Sequence, residues 1–166
     1  MSSAPDAGSN SDPFDLQRFV DAQNAAPDAW NSTADAKKTV YETALCELKK
    51  GSKRTHWMWF IFPQLAGLGR SEMVRRYAIH SREEARQYVE HPMLGQRLNE
   101  CAEAVLAVEG RSARAIFDSP DDMKLHSSMT LFAAVAGPES VFARVLGKYY
   151  AGMPDASTLA LLRSHG

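Results

Sequence analysis

Only two cysteines occur among the 166 residues, Cys46 and Cys101, and they stand 55 positions apart without CxxC spacing. So sparse a supply offers no disulfide framework and no thiolate zinc site, and two reduced, buried thiols are the expected state. The chain has no apolar run of membrane-spanning length, so no transmembrane helix is expected. It lacks an excess of either charge: 19 Lys and Arg stand against 20 Asp and Glu, a net of −1. That excludes a uniformly basic polyanion binder. No segment repeats at a fixed period, which removes solenoids and arrays. No strand-like alternation ends in a hairpin turn. There is no GxSxG nucleophile elbow, no HExxH, and no glycine-rich phosphate loop of either standard pattern. The five histidines (His56, His80, His91, His126, His165) show no close pairing, and neither cysteine accompanies them. No metal and no cofactor is expected.

What the chain does have is apolar side chains, 45% of the total, in a length that suits one domain. A globule of this size buries roughly 70% of the surface its unfolded chain exposes, so a core forms without covalent staples. Residues 1–12 (MSSAPDAGSNSD) differ from the rest. They carry neither the basic start nor the apolar stretch of a secretory signal, and too little apolar surface to offset their ordering entropy. A mobile segment is expected there. The lack of secretory-signal features there and the reduced cysteines point to the cytoplasm.

From Asp12-Pro13 onward, helix start signals precede apolar residues three or four apart. Asn24 to Asp35 reads as a polar connection. Helices are predicted after Asp12, over about 36–50 with Gly51 as the stop, after the caps Ser71, Ser81 and Ser112, and from Pro92 to before Gly110. Others are predicted over 119–136, from Pro138 through Lys148, and after Asp155. Ser81 and Glu84 have capping-box spacing. Residues 57–62 (WMWFIF) fit strand or helix by periodicity alone. A lone strand would leave its backbone groups unpaired in a helical chain, so a short buried helix is favoured. The expectation is an all-α fold, a single compact domain of seven to nine helices over residues 13–166.

The near-neutral total hides an asymmetry. Residues 1–48 carry a net of −5, residues 49–82 a net of +7, and residues 83–166 a net of −3. The basic third also holds the most aromatic stretch, where Arg54, His56, Trp57, Trp59 and Gln64 crowd eleven positions. A guanidinium offers a planar fork to phosphate or carboxylate, and an indole offers a face for stacking. An imidazole, which ordinarily titrates near pH 6.5, serves as acid or base. Both tryptophans are expected in the core. A second polar cluster, Asp121, Asp122, Lys124, His126, Ser127 and Ser128, stands at the entrance of a helix that is apolar nearly all round. There Lys124 and Ser128 share one face, and polar groups so placed need partners or a ligand.

Three functions follow as expectations. The first is a site for a small anionic ligand, phosphorylated or nucleotide-like, held by Arg54, His56, Trp59, Gln64, Lys124 and Ser128. Hydrolysis would be its reaction class, with His56 or Asp122 as the acid–base group. The second is a helical interaction module that sets the basic face of 49–82 on an acidic protein or RNA. Nucleic acid is disfavoured by the net charge and by the burial expected of both indoles. The third is that the polar clusters only support the fold, with the basic third paired to its acidic neighbours.

Several strings resemble one uncharacterised bacterial domain-of-unknown-function family, whose members are often labelled calpastatin. They are DPFDLQRFVDAQ at 12–23, THWMWFIFPQLAGLGRS at 55–71, YAIHSREEA at 77–85, HPMLGQRL at 91–98 and PDDMKLHSSMTLF at 120–132. The resemblance runs from Asp12 to about Leu162. It implies a compact all-helical fold and no known activity, substrate or catalytic residue. Between Gln23 and Tyr41 this chain is longer than the family's usual pattern. The label calpastatin conflicts with the residues. An inhibitor of that kind works as a disordered, repetitive polar chain, whereas this one has capped apolar helices and no repeat.

Overall fold

The computed structural model describes residues 11–26 and 38–165, and among these described residues capping and apolar spacing give ten helices. Among the described residues there is no strand, only an isolated parallel bridge between Leu65 and Ile79. The helices are α1 Gln17–Asn24, α2 Val40–Lys49, α3 Met58–Ile61, α4 Glu72–Arg76 and α5 Arg82–Glu90. They continue as α6 Leu94–Ala107, α7 Ala113–Phe117, α8 Asp121–Ala136, α9 Val141–Tyr149 and α10 Ala156–His165. The all-α class is as expected. The ten helices of the described residues are one more than the upper end of seven to nine, and three of them, α3, α4 and α7, are single turns of four or five residues at places where the sequence indicates short helices. Most of the segment expected to be mobile lies outside the described residues, as do most of the connection at 24–35 and the expected helix start at Ala36.

The caps explain most boundaries. Ser71, Ser112 and Ser140 each accept the backbone N–H three residues on. Thr39 and Glu42 form a reciprocal capping box that starts α2. Ser81 caps α5, but Glu84 does not close the expected box. Its buried carboxylate accepts from the His80 N–H at 2.8 Å and pairs with Arg18 at 3.0 Å. Pro92 does not begin α6. Instead His91 Nδ1 accepts from the N–H groups of Met93 and Leu94, both at 3.1 Å. Nor does Ser119 cap α8: Pro120 stands at the cap position, after a cis peptide bond, and no side chain bonds there. Asp121 and Asp122 do sit in its first turn, against the positive end of the helix.

At the centre lies α8, which buries Leu125, Met129, Leu131 and Phe132 and packs against α5, α7, α9 and α10. The stripe Leu94, Leu98, Cys101 and Val105 of α6 is buried against α2, α5 and α9. At the α5–α6 corner a Cβ on Gly95 would stand 2.0 Å from the Val89 carbonyl oxygen, so only glycine fits. Cys101 is buried as expected, and burial pushes its thiol up to about 12. Cys46 is only half-buried, because it lies off the buried stripe of α2. No helix of the described residues is long and apolar enough to cross a membrane.

Within residues 57–62, Met58–Ile61 form the short helix α3 with Trp57 and Phe62 at its ends, and Trp57, Phe60, Ile61 and Phe62 lie in the core. Burying a side chain of this kind contributes about 1.5–3 kcal/mol. The aromatic run therefore anchors the polar residues on either side of it.

Candidate functional site

The site is built on a residue that no motif flags, Glu47 in the last turn of α2. Its buried Oε1 accepts from the backbone N–H of Arg54 at 2.8 Å, that of Thr55 at 3.1 Å, and Trp57 Nε1 at 2.9 Å. Its Oε2 accepts from the Thr55 hydroxyl at 2.7 Å. Hydrogen bonds to a charged acceptor are the strong kind, and four of them fix residues 54–57 to α2. Lys53 adds a second tie. Its ammonium donates to the Thr55 carbonyl at 2.6 Å, lies 5.0 Å from the Trp57 ring centre, and pairs with Asp121 Oδ2 at 2.9 Å. Asp121 Oδ1 is 3.7 Å from Lys124 Nζ. One carboxylate at the start of α8 thus links the segment 53–57 to Lys124.

Between these walls opens a cleft of about 340 Å³, bordered by Arg54, His56, Trp59, Asp118, Asp121 and Lys124 among others. Four of the six residues assigned to the ligand site from sequence, Arg54, His56, Trp59 and Lys124, therefore meet there. Gln64 borders a separate crevice of about 10 Å³, shared with Trp59, Lys124, Val74 and Tyr77. That is room for about one water. Asp122 and Ser128 border neither cavity. Ser128 is fully buried, and its hydroxyl has no hydrogen-bond partner among the described residues. Asp122 Oδ1 is likewise buried and unpartnered, while its backbone carbonyl accepts from the Tyr150 hydroxyl at 2.5 Å.

The two tryptophans of the cleft wall differ. Trp57 is 1% exposed, its N–H is bonded to Glu47, and its ring meets Phe62 and Phe117 at a tilt and edge-on. Trp59, expected in the core, is only half-buried. Its Nε1 is buried without a hydrogen-bond partner, and Lys124 Nζ stands 5.6 Å from its ring centre. Being adjacent to α3's buried face without belonging to it, Trp59 turns to the cleft.

The basic third meets acidic neighbours only in part. Lys53 pairs with Asp121, whereas Arg54, Arg70, Arg75, Arg76 and Arg82 are exposed and make no ion pair among the described residues. Sequence reasoning missed Glu47, though a signal existed. It occupies a position on the buried stripe Val40, Thr43, Ala44, Glu47 and Leu48, where a carboxylate has to be satisfied from within.

A family model described as "Protein of unknown function (DUF1810)" matches residues 13–162. Among solved structures, the chain is similar to the conserved hypothetical protein Rv1873 from Mycobacterium tuberculosis, known from a crystal structure at 1.38 Å. The identity is 50% and the TM-score 0.80, over 92% of this chain and 99% of that one. No curated protein matches.

Proposed function

Because the chain belongs to the DUF1810 family of proteins of unknown function, which prescribes no reaction, we propose a function from the cleft itself. The protein binds a small phosphorylated or otherwise anionic ligand between residues 53–59 and the first turn of α8. One observation supports this most: Arg54, His56, Trp59 and Lys124, drawn from two distant segments, border one cleft of about 340 Å³. A volume of that order accommodates a small ligand. Arg54 supplies a guanidinium fork that no acidic side chain of the described residues occupies. Lys124 supplies a second cation, held only at 3.7 Å by Asp121 and so open to a competing anion. His56 is our choice of acid–base group for a hydrolysis, ahead of Asp122, which does not border the cleft.

The test is a titration with sugar phosphates and nucleotides followed by tryptophan fluorescence. Saturable change is expected, and Arg54→Ala should weaken it about tenfold, the equivalent of about 1.4 kcal/mol. Silence across the panel at millimolar concentration overturns the reading.

A second reading draws on the exposed arginines Arg70, Arg75, Arg76 and Arg82, which form a basic surface suited to an acidic protein. Such binding falls steeply with added salt. Affinity indifferent to salt would retire it.

A further inference from the structure

We propose that the ligand is bipartite, with its anionic group in the cleft and a neutral hydrogen-bonding ring in a compartment behind Trp59. That is the chemical class of a nucleoside monophosphate. The inference rests on the reading of the cleft as an anion site and adds what lies beyond it.

The inner crevice is bordered by three side chains whose polar groups the protein leaves unused. Trp59 Nε1 is buried without a partner, and neither the Gln64 amide nor the Tyr77 hydroxyl makes a hydrogen bond among the described residues. The buried Trp59 N–H left without a partner is unfavourable, and with the half-buried Gln64 amide and Tyr77 hydroxyl beside it the crevice suits a ligand that supplies the missing acceptor. An indole N–H only donates, whereas an amide both donates and accepts. Together they match the mixed edge of a heterocycle better than a further phosphate, which only accepts.

These groups are presented from fixed positions. The Gln64 carbonyl accepts from the Ile79 N–H at 2.8 Å, and the Ala66 N–H donates to the Ile79 carbonyl at 2.7 Å, so the backbone around the amide is pinned. The Tyr77 ring is set edge-on to Phe60, with centroids 4.8 Å apart, and packs on Phe19 at 5.8 Å.

In the proposed binding mode Trp59 is the part that moves. It borders both the cleft and the crevice, as Lys124 does. No hydrogen bond holds its indole, and its aromatic contact is a tilted one to Phe60 at 5.8 Å. The crevice has only about 10 Å³ with Trp59 in its present position. Rotation of this one side chain joins the compartments and brings Gln64 into the site.

Calorimetric titration of the full chain tests this, with inorganic phosphate, ribose 5-phosphate, AMP, GMP, CMP and UMP as probes. At least one nucleotide is expected to bind about ten times more tightly than ribose 5-phosphate. Gln64→Ala should remove that advantage while leaving ribose 5-phosphate unchanged. Trp59→Phe, which keeps a ring but not the N–H, should weaken the nucleotide several-fold with an unaltered melting temperature. Suppose ribose 5-phosphate binds and Arg54→Ala weakens it, yet no nucleotide surpasses it. The inner compartment is then overturned and the anion cleft stands. Equal weakening of every probe by Gln64→Ala also overturns the compartment. If no probe binds, both fall.

Discussion

Trp57 and Trp59 stand two residues apart in one wall, yet they belong to different physical regimes. Trp57 is enclosed by Phe62 and Phe117, and its N–H is bonded to a buried carboxylate that also holds two backbone N–H groups and a hydroxyl. Trp59 is half-buried, and its N–H is shut away from both solvent and partner. The same residue type thus serves stability in one place and leaves bonding capacity unspent in the other. Side chains that fold the protein are satisfied internally. An unsatisfied group serves a ligand only where it also borders a cavity, as Trp59 does and the buried, unpartnered Ser128 does not.

The largest effect that can test this contrast comes from the clamped side. Glu47→Ala leaves the N–H groups of Arg54, Thr55 and Trp57 and the Thr55 hydroxyl without their acceptor. A loss of about 3–5 kcal/mol is expected, as for other broken buried polar networks, measured by urea unfolding. A loss below about 1 kcal/mol would mean that Glu47 does not organise the wall.

Alkali separates interior from cleft next. Burial raises the Tyr88 hydroxyl and pushes the Cys101 thiol up to about 12, from an ordinary value of 9.0. As pH rises past 9.0 for the thiol and past 10.0 for the phenol, the unfolded chain gives up these protons first, so the folded state binds more of them. Stability is therefore full below pH 9.0 and declines toward about 12. Cys101→Ala should flatten part of this decline, and unchanged alkaline unfolding would count against it.

The two tryptophans supply the finer comparison. Trp57→Phe removes a bonded N–H and part of a packed ring, for an expected cost of about 1–3 kcal/mol. Trp59→Phe removes an N–H that bonds to nothing, and a change within about 0.5 kcal/mol is expected. Similar costs in thermal unfolding would erase the distinction.

Much of this was legible in the sequence, for identifiable reasons. Serine caps at 71, 81 and 112 and the apolar stripe of α6 are local signals, and they located helices without knowledge of the packing. The grouping of Arg54, His56 and Trp59 was visible because these residues are near neighbours in the chain. That Lys124 faces them depends on how α8 crosses the core, which periodicity does not encode. Asp122 and Ser128 show the limit in the other direction. They share a helix with Lys124 and carry suitable chemistry, yet they border neither cavity. His91 capping α6 and Arg18 reaching Glu84 were also beyond local patterning. The first needs a rotamer and the second a contact across 66 positions.

The most direct measurement follows the indole N–H resonances of the ¹⁵N-labelled protein during titration with nucleoside monophosphates and ribose 5-phosphate. The Trp59 peak is expected to move saturably as its unpartnered N–H finds an acceptor, while the Trp57 peak, held by Glu47, stays in place. A Trp59 peak that remains still at millimolar concentrations of every probe would contradict ligand binding at this cleft.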